Sequence, residues 1–572
     1  MNRNLVVFAL LLVLGAAPPG MAAMLSADDA APSRGSTTGT AAATTAGSWR
    51  IIGWNDLGMH CMDGSDSSVS SVLPPFNNIH AQVVDSNGKL VTSPGSLTIT
   101  YEAVSDPAGS INKTSATKTN FWQYVQALFG TSLPFDTGLA GFRMPGPSNM
   151  PQAMKFDATH NWFEADGVPI TPYDDAGQKN YYPMMRLRVK DFGGNTLATT
   201  DIVLPVSDEM DCKACHASNS DAAARPTKGW VNNSDPAKDA KYNILRMHDQ
   251  KQQPGAFAAL IAKAGYNAQG LEATALSGTP VLCERCHSSN ALPGLGIAGV
   301  SRLTRAVHFH HQSVSDPLTG LTMDQSTNRS ACYRCHPGSV TKCLRGVMGN
   351  AVDATGNMII QCQNCHGTMS VVAKATRVGW FDEPNCQNCH TGTAVHNSGQ
   401  IRYTSTFSSQ GVLRAAADVT FATTANVPSS GYSLYRYSSG HGGLQCEACH
   451  GATHAEYPTS HVNDNLQSIQ LQGHDGTLAE CSACHARVPA TVNGGPHGMH
   501  PVGQSWISSH HDVAEHNATQ CQACHGTDYR GTVLSKTKTD RTFRVDDGRT
   551  VTLAKGTQIS CYTCHNGPRG GD

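Results

Sequence analysis

The pentapeptide C-x-x-C-H recurs nine times in the 572 residues: CKACH from Cys212, CERCH from Cys283, CYRCH from Cys332, CQNCH from Cys362 and again from Cys386, CEACH from Cys446, CSACH from Cys481, CQACH from Cys521 and CYTCH from Cys561. Chance would supply about 0.03 such matches at these Cys and His frequencies. Successive motifs begin 71, 49, 30, 24, 60, 35, 40 and 40 residues apart, and they consume eighteen of the twenty cysteines. About 40 residues per motif is too little chain to build a separate hydrophobic core around each one. Whatever binds at the motifs must itself supply much of the interior.

Three chemistries use two cysteines and a histidine. Tetrahedral zinc needs pairs of ligand pairs but gives no reason to place His directly after every second Cys. Disulfides constrain cysteine spacing and are indifferent to the residue that follows. Covalent haem needs all three: two thioether bonds to the porphyrin edge, and an imidazole turned under the ring to the iron. The nine motifs resemble those of the multihaem c-type cytochromes over roughly residues 210 to 570. That resemblance implies nine covalently attached haem c groups, bonded through Cys212 and Cys215, Cys283 and Cys286, Cys332 and Cys335, Cys362 and Cys365, Cys386 and Cys389, Cys446 and Cys449, Cys481 and Cys484, Cys521 and Cys524, and Cys561 and Cys564. It implies proximal iron ligands at His216, His287, His336, His366, His390, His450, His485, His525 and His565.

The occupant of the second axial position decides what each iron can do: histidine gives low-potential electron transfer, whereas an open position admits substrate. Seventeen histidines remain after the proximal nine. The candidate distal ligands are His248, His308, His310, His311, His396, His441, His454, His461, His474, His497, His500, His510, His511 and His516, with His60 in the amino-terminal part as a further candidate. In VHFHH (307–311) and PHGMHP (496–501), two close histidines can serve two different haems. His441, His474 and His516 each lie five to seven residues before a motif; so short an approach more easily reaches a neighbouring haem than the motif's own.

Haems packed this closely lie within tunnelling range of one another and make a wire. Basic and acidic residues number 41 and 43, net −2. Each haem with two propionates adds about −1 when ferric or −2 when ferrous, for a total of about −11 or −20. Nucleic acid is thereby an unsuitable partner, and redox proteins with basic patches or an extracellular electron acceptor are the expected ones.

Residues 1–23 have the layout of a secretory signal peptide, with Arg3 before an apolar run and small residues near Ala22 and Ala23. That run is too short to span a bilayer, no lipid-anchor cysteine follows it, and the expected location is periplasmic or extracellular. Residues 24–48 read as a flexible low-complexity linker. Residues 49–207 carry no motif and read as β-rich: IHAQVVDSNGKLVT (79–92) around Asn87-Gly88, LTITYEA (97–103), and MMRLRVKDFGGNTLATTDIVLPV (184–206) turning at Gly193-Gly194. The fold class expected is therefore multidomain, an antiparallel β-sandwich with the immunoglobulin type as candidate, followed over 208–572 by a helix- and loop-rich cytochrome c domain packed around nine haems. A last hairpin is expected in 543–559, turning at Asp547-Gly548.

In WNDLGMHCMDGSD (54–66), His60 and Cys61 share a loop with Asp63 and Asp66, whose spacing does not match a full calcium loop. Cys61 and Cys343 are the only cysteines outside the motifs and form the candidate disulfide. Three functions stay open: an electron carrier of nine mostly bis-histidine haems, an oxidoreductase of a small nitrogen or sulfur compound with one open haem, and a subunit of a cytochrome filament. No residue is assigned a catalytic role.

Overall fold

Strand β9 (Met184–Lys190) buries Met185, Leu187 and Val189 and turns Arg186, Arg188 and Lys190 outward, the two-residue alternation of a half-buried strand. This computed structural model describes residues 49–210, 212–384, 386–389, 404–414, 437–545 and 548–568. The remaining strands of the amino-terminal part are β1 (Arg50–Trp54), β2 (His60–Cys61), β3 (Ser70–Ser71), β4 (Asn77–Val84), β5 (Thr98–Val104), β6 (Gln152–Ala153), β7 (Lys155–Asp157), β8 (Trp162–Val168), β10 (Thr196–Val203) and β11 (Val206–Ser207). They form two four-stranded antiparallel sheets, ordered β1-β4-β8-β7 and β10-β9-β5-β6. Both sheets contribute to one apolar cluster, including Ile51, Ile79, Val83 and Phe163 from the first and Ile99, Tyr101, Leu187 and Ile202 from the second. Each such side chain, fully buried, stabilises by about 1.5–3 kcal/mol relative to exposure. Overall the chain is mixed helix and strand with several small sheets, none of them a closed barrel.

Turn chemistry follows the sequence closely. Between β9 and β10 the Asp191 carboxylate accepts the Asn195 amide at 2.8 Å, and Gly194 takes a φ of 81°. After β4, Asp85 accepts the amides of Asn87 and Lys89, and Gly88 has a φ of 76°. The returning run makes only the single bridge Val84↔Leu90, however, and the true partners of β4 are β1 and β8. The carboxy-terminal hairpin pairs β13 (Arg541–Arg544) with β14 (Thr550–Leu553), so its strands begin two residues before the stretch expected to hold them. Asp547 lies outside the described residues.

β4 is buried on both faces because a second cluster covers the outer side of its sheet. Ile52, Trp54, Val84 and Trp162 pack there against Leu444, Ala448 and Leu478, with Cys449 and Cys484 at the margin. The amino-terminal sheets and the motif-bearing chain thus share an interior, and residues 44–572 form one compact unit. β2 and β11 also pair in parallel, as do β3 and β12 (Val281–Leu282).

The helix Val462–Gln472 is docked on the sheets by polar side chains. Gln467 accepts the Gly53 amide and donates to the Gly53 carbonyl, both at 2.8 Å, completing the edge of β1 as a strand would. Gly53 must be glycine, since a Cβ there would lie 2.4 Å from Leu187 and 3.1 Å from Ile202. One turn earlier in the same helix, Asp464 forms a two-bond pair with Arg345 at 2.6 and 2.7 Å, both side chains almost wholly buried. Thr459 donates a third bond to Asp464. Removing one partner of such a pair strands the other charge. Asp464→Asn is therefore expected to cost about 3–5 kcal/mol, read as a lowered urea midpoint by far-UV circular dichroism; an unchanged midpoint would refute a structural role for the pair.

Candidate metal centres

Every described motif is a single turn of helix. The histidine amide donates to the first cysteine carbonyl at 2.9 Å in Cys212–His216, 3.0 Å in Cys283–His287, 2.9 Å in Cys332–His336, 2.8 Å in Cys481–His485 and 3.2 Å in Cys561–His565. Cys362–His366, Cys446–His450 and Gln522–His525 are α-helical turns. One turn brings residues three and four apart onto the same side, so both sulfurs and the imidazole share a face.

Among the described residues, each of the eight motif histidines faces a second histidine. Ring centres are 6.2 Å apart in His216–His311, 6.4 Å in His287–His248, 6.2 Å in His336–His308 and 6.0 Å in His366–His454. They are 6.1 Å apart in His450–His497, 6.0 Å in His485–His441, 6.4 Å in His525–His500 and 5.9 Å in His565–His510. Two metal–imidazole bonds of about 2 Å, plus about 1.1 Å from nitrogen to ring centre on either side, make about 6.2 Å. Each pair is thus spaced to ligate one ion from opposite sides. Among the described residues no group of three or more His, Cys, Asp or Glu could hold a metal. The pairs offer two nitrogens each, and equatorial ligands would have to come from a macrocycle such as the one the cysteines are spaced to bind. The donor set fits haem.

Carbonyls behind the rings set their orientation. Nδ1 lies within hydrogen-bond distance of the Thr304 carbonyl for His308 (2.6 Å), Val307 for His311 (2.7 Å), Ser301 for His287 (2.7 Å), Pro501 for His500 (2.8 Å), Ile507 for His510 (2.9 Å), Gly567 for His565 (2.8 Å) and Ile559 for His525 (3.1 Å). A proton held on Nδ1 leaves Nε2 bare, the ligating tautomer. Burial, reinforced by the facing ring, pushes His216, His248 and His336 down to about 4 and His366 to about 3, keeping them neutral as a ligand must be. His454 goes the other way, to about 9: burial opposes the proton, but Cys343 and Glu456 outweigh it.

The helix Leu303–His311 delivers His308 to His336 and His311 to His216. His497 and His500 likewise reach His450 and His525. His441 precedes the Cys446 motif yet faces His485, one motif further on. His390 and His396 lie outside the described residues, although the turn Cys386–Asn388 that begins the fifth motif is described.

Other candidates have different occupations. His60 bonds Asp56 at 2.6 Å and packs edge-on to Phe76. His461 caps its helix, accepting the Asn463 amide on Nδ1 and stacking on Tyr182 at 3.6 Å. His310 adjoins Phe309, and exposed His511 contacts Asp512. His516 has Nδ1 2.6 Å from the Asp512 carbonyl. His474 joins Glu480, itself paired with Arg541. Cys61 and Cys343 lie near each other: Cys343 has its sulfur 4.0 Å from His454 Nδ1, and burial with Cys343 nearby raises Cys61 far above the usual thiol range. Asp63 accepts from Ser71, Val72 and Leu73, and Asp66 from Ser68 and Asn120, so both carboxylates brace their loop.

No protein-family model, curated protein or solved structure matches the chain. Sequence reasoning missed Arg377, whose guanidinium lies 3.4 Å from the His366 carbonyl and 3.5 Å from its Nδ1. It also missed the stacking of His80 and His160 on Trp162 at 4.1 and 4.3 Å beside the second core. The meeting of His80 with Trp162 joins residues 82 positions apart and leaves no local pattern.

The triad of His474, Glu480 and Arg541 gives stability a pH dependence. The hydrogen bond to Glu480 raises His474; burial would raise Glu480, but His474 and Arg541 outweigh it and lower its pKa. The His474 contribution is complete below its ordinary value near about 6.5 and is lost as pH rises through the raised one. That of Glu480 is present above about 4.3 and lost as pH falls through the lowered value. The urea-midpoint gap between wild type and His474→Gln is expected to be larger at about pH 5.5 than at about pH 8.5; equal gaps would show that the pairing carries no stability.

Proposed function

We propose that the chain is an exported multihaem c-type cytochrome that transfers electrons through closely packed, mostly bis-histidine haems to or from a redox partner, in the manner of anaerobic or extracellular respiration. One observation carries the reading: eight motif histidines each face a second histidine 5.9–6.4 Å away, the spacing of two axial ligands on one iron. Bound haem would supply a reversible one-electron iron couple. The cysteines would hold its edge through thioethers, the motif histidine one axial position and the facing histidine the other.

The residues around these pairs favour electron transfer over substrate chemistry. With both axial nitrogens from the protein, neither side of the ion is left for a small molecule. Backbone carbonyls behind the rings keep Nε2 bare and the rings fixed, which limits reorganisation when charge changes. Neighbouring pairs are tied together: His308 and His311 stand one turn apart on one helix, and Cys332 and Cys362 of successive motifs lie side by side. Cys449 and Cys484 border the same apolar cluster.

An oxidoreductase of small nitrogen or sulfur compounds would need an open position, and the facing histidine of each described pair favours electron transfer over that reading. Among the described residues no helix is long and apolar enough to cross a membrane. The net charge of −2 before any haem is added favours a redox protein with a basic patch, or an extracellular electron acceptor, over nucleic acid.

The test is haem content and spin state. Protein from a host with working cytochrome maturation is expected to carry nine haems by pyridine haemochrome and intact mass; a mass without added tetrapyrroles overturns the reading. In electron paramagnetic resonance, His311→Ala is expected to convert one low-spin haem to high-spin while His461→Ala converts none. An unchanged low-spin signal in His311→Ala would remove that histidine from the ligand set.

A further inference from the structure

The loop after the second motif runs Leu292 to Arg302 and carries glycines at 294, 296 and 299, all with positive φ. It is pinned to the motif by Ile297 donating to Cys286 at 2.9 Å and Leu303 donating to Ser288 at 3.0 Å. Gly296 is required where it stands, because a Cβ would lie 2.7 Å from the Ser288 amide nitrogen. So held, the loop walls an open-sided cavity of about 640 Å³ whose lining includes three guanidinium-bearing residues, Arg302, Arg305 and Arg377. No histidine lines it, so it lies outside the slots between facing imidazoles.

The contacts of the three arginines are with backbone and aromatic rings. Arg302 donates to the Arg377 carbonyl at 2.9 Å, and Arg305 lies over the Phe309 ring. Arg377 reaches only the backbone and ring of His366, and its Nε is buried with no hydrogen-bond partner. None of the three forms an ion pair with a described carboxylate; Asp382 acts on Arg377 only at longer range, and burial lowers the Arg377 pKa. Three guanidinium groups sharing one partly desolvated cavity repel each other unless an anion is shared among them, and their planar forks match carboxylate or oxyanion geometry.

We propose that this cavity is a binding site for carboxylate or oxyanion groups, set between the second and fourth motifs through Ser301, whose carbonyl faces His287, and Arg377, which contacts His366. Two sources carry that chemistry: the propionates of a haem held at either motif, which rests on the cytochrome reading, and a small oxyanion from solution, which does not.

The experiment uses the haem-loaded chain, counted by pyridine haemochrome beforehand, and compares wild type with Arg377→Gln, Arg302→Gln and the charge-keeping Arg377→Lys. Calorimetric titration with nitrite, sulfite and phosphate distinguishes the sources. Saturable binding weakened about tenfold or more in Arg377→Gln and largely kept in Arg377→Lys assigns a soluble oxyanion. No binding, together with one haem midpoint moved negative in the Gln variants and unmoved in Arg377→Lys, assigns haem carboxylates. Neither heat nor a shifted midpoint overturns the proposal. Arg305→Gln, which also lines the cavity, supplies the same readout if an Arg377 variant does not accumulate. A chain without haem would sink the cytochrome reading and leave the anion titration readable.

Discussion

Two imidazoles facing each other across about 6 Å, repeated eight times, are the constraint on which the carboxy-terminal part of this protein depends. Each pair joins a one-turn motif to a histidine from elsewhere in the chain, 25 positions away in His500–His525 and as many as 95 in His216–His311. With an ion held between the rings, the pairs would do the work that strand pairing does in the amino-terminal sheets and fix long-range register. Short helices and loops would then suffice between them, because the ends of each segment would be set by the facing rings.

The amino-terminal sheets are more than an appendage. β4 is enclosed on one side by the shared core of the two sheets and on the other by Leu444, Ala448 and Leu478. Gln467 completes the edge of β1, and the Arg345–Asp464 pair fastens the same helix to the chain between the third and fourth motifs. A polar helix face with Asn463, Asp464, Asn465, Gln467 and Ser468 buried is tolerated because its hydrogen-bonding groups find specific partners. Such a face fixes one docking geometry where an apolar stripe would allow several.

Much of this was legible. The alternation in β9, the Asp-x-x-Gly turns and the hairpin β13–β14 are local and are written in neighbouring residues. The clusters VHFHH and PHGMHP each supply histidines to two different motifs, as their spacing suggested. What could not be read is which histidine is left over. His461 looks like a ligand until its Nδ1 is seen accepting an amide, and His474 until Glu480 and Arg541 are seen beside it. Cys61 and Cys343 are alone by subtraction, but nothing local announces that His454 stands beside Cys343. β1 was missed because a strand buried on both faces loses the alternation that marks a half-buried one.

The sequence by itself determined the number of motifs, the one-turn geometry of each and the turns of the sheets, since these depend on residues no more than a few positions apart. Tertiary structure alone decided the eight pairings, the burial of β4 and the meeting of Arg302, Arg305 and Arg377. Each of those joins groups far apart in the chain, and the free energy that selects them comes from burial and from partners that no local window contains.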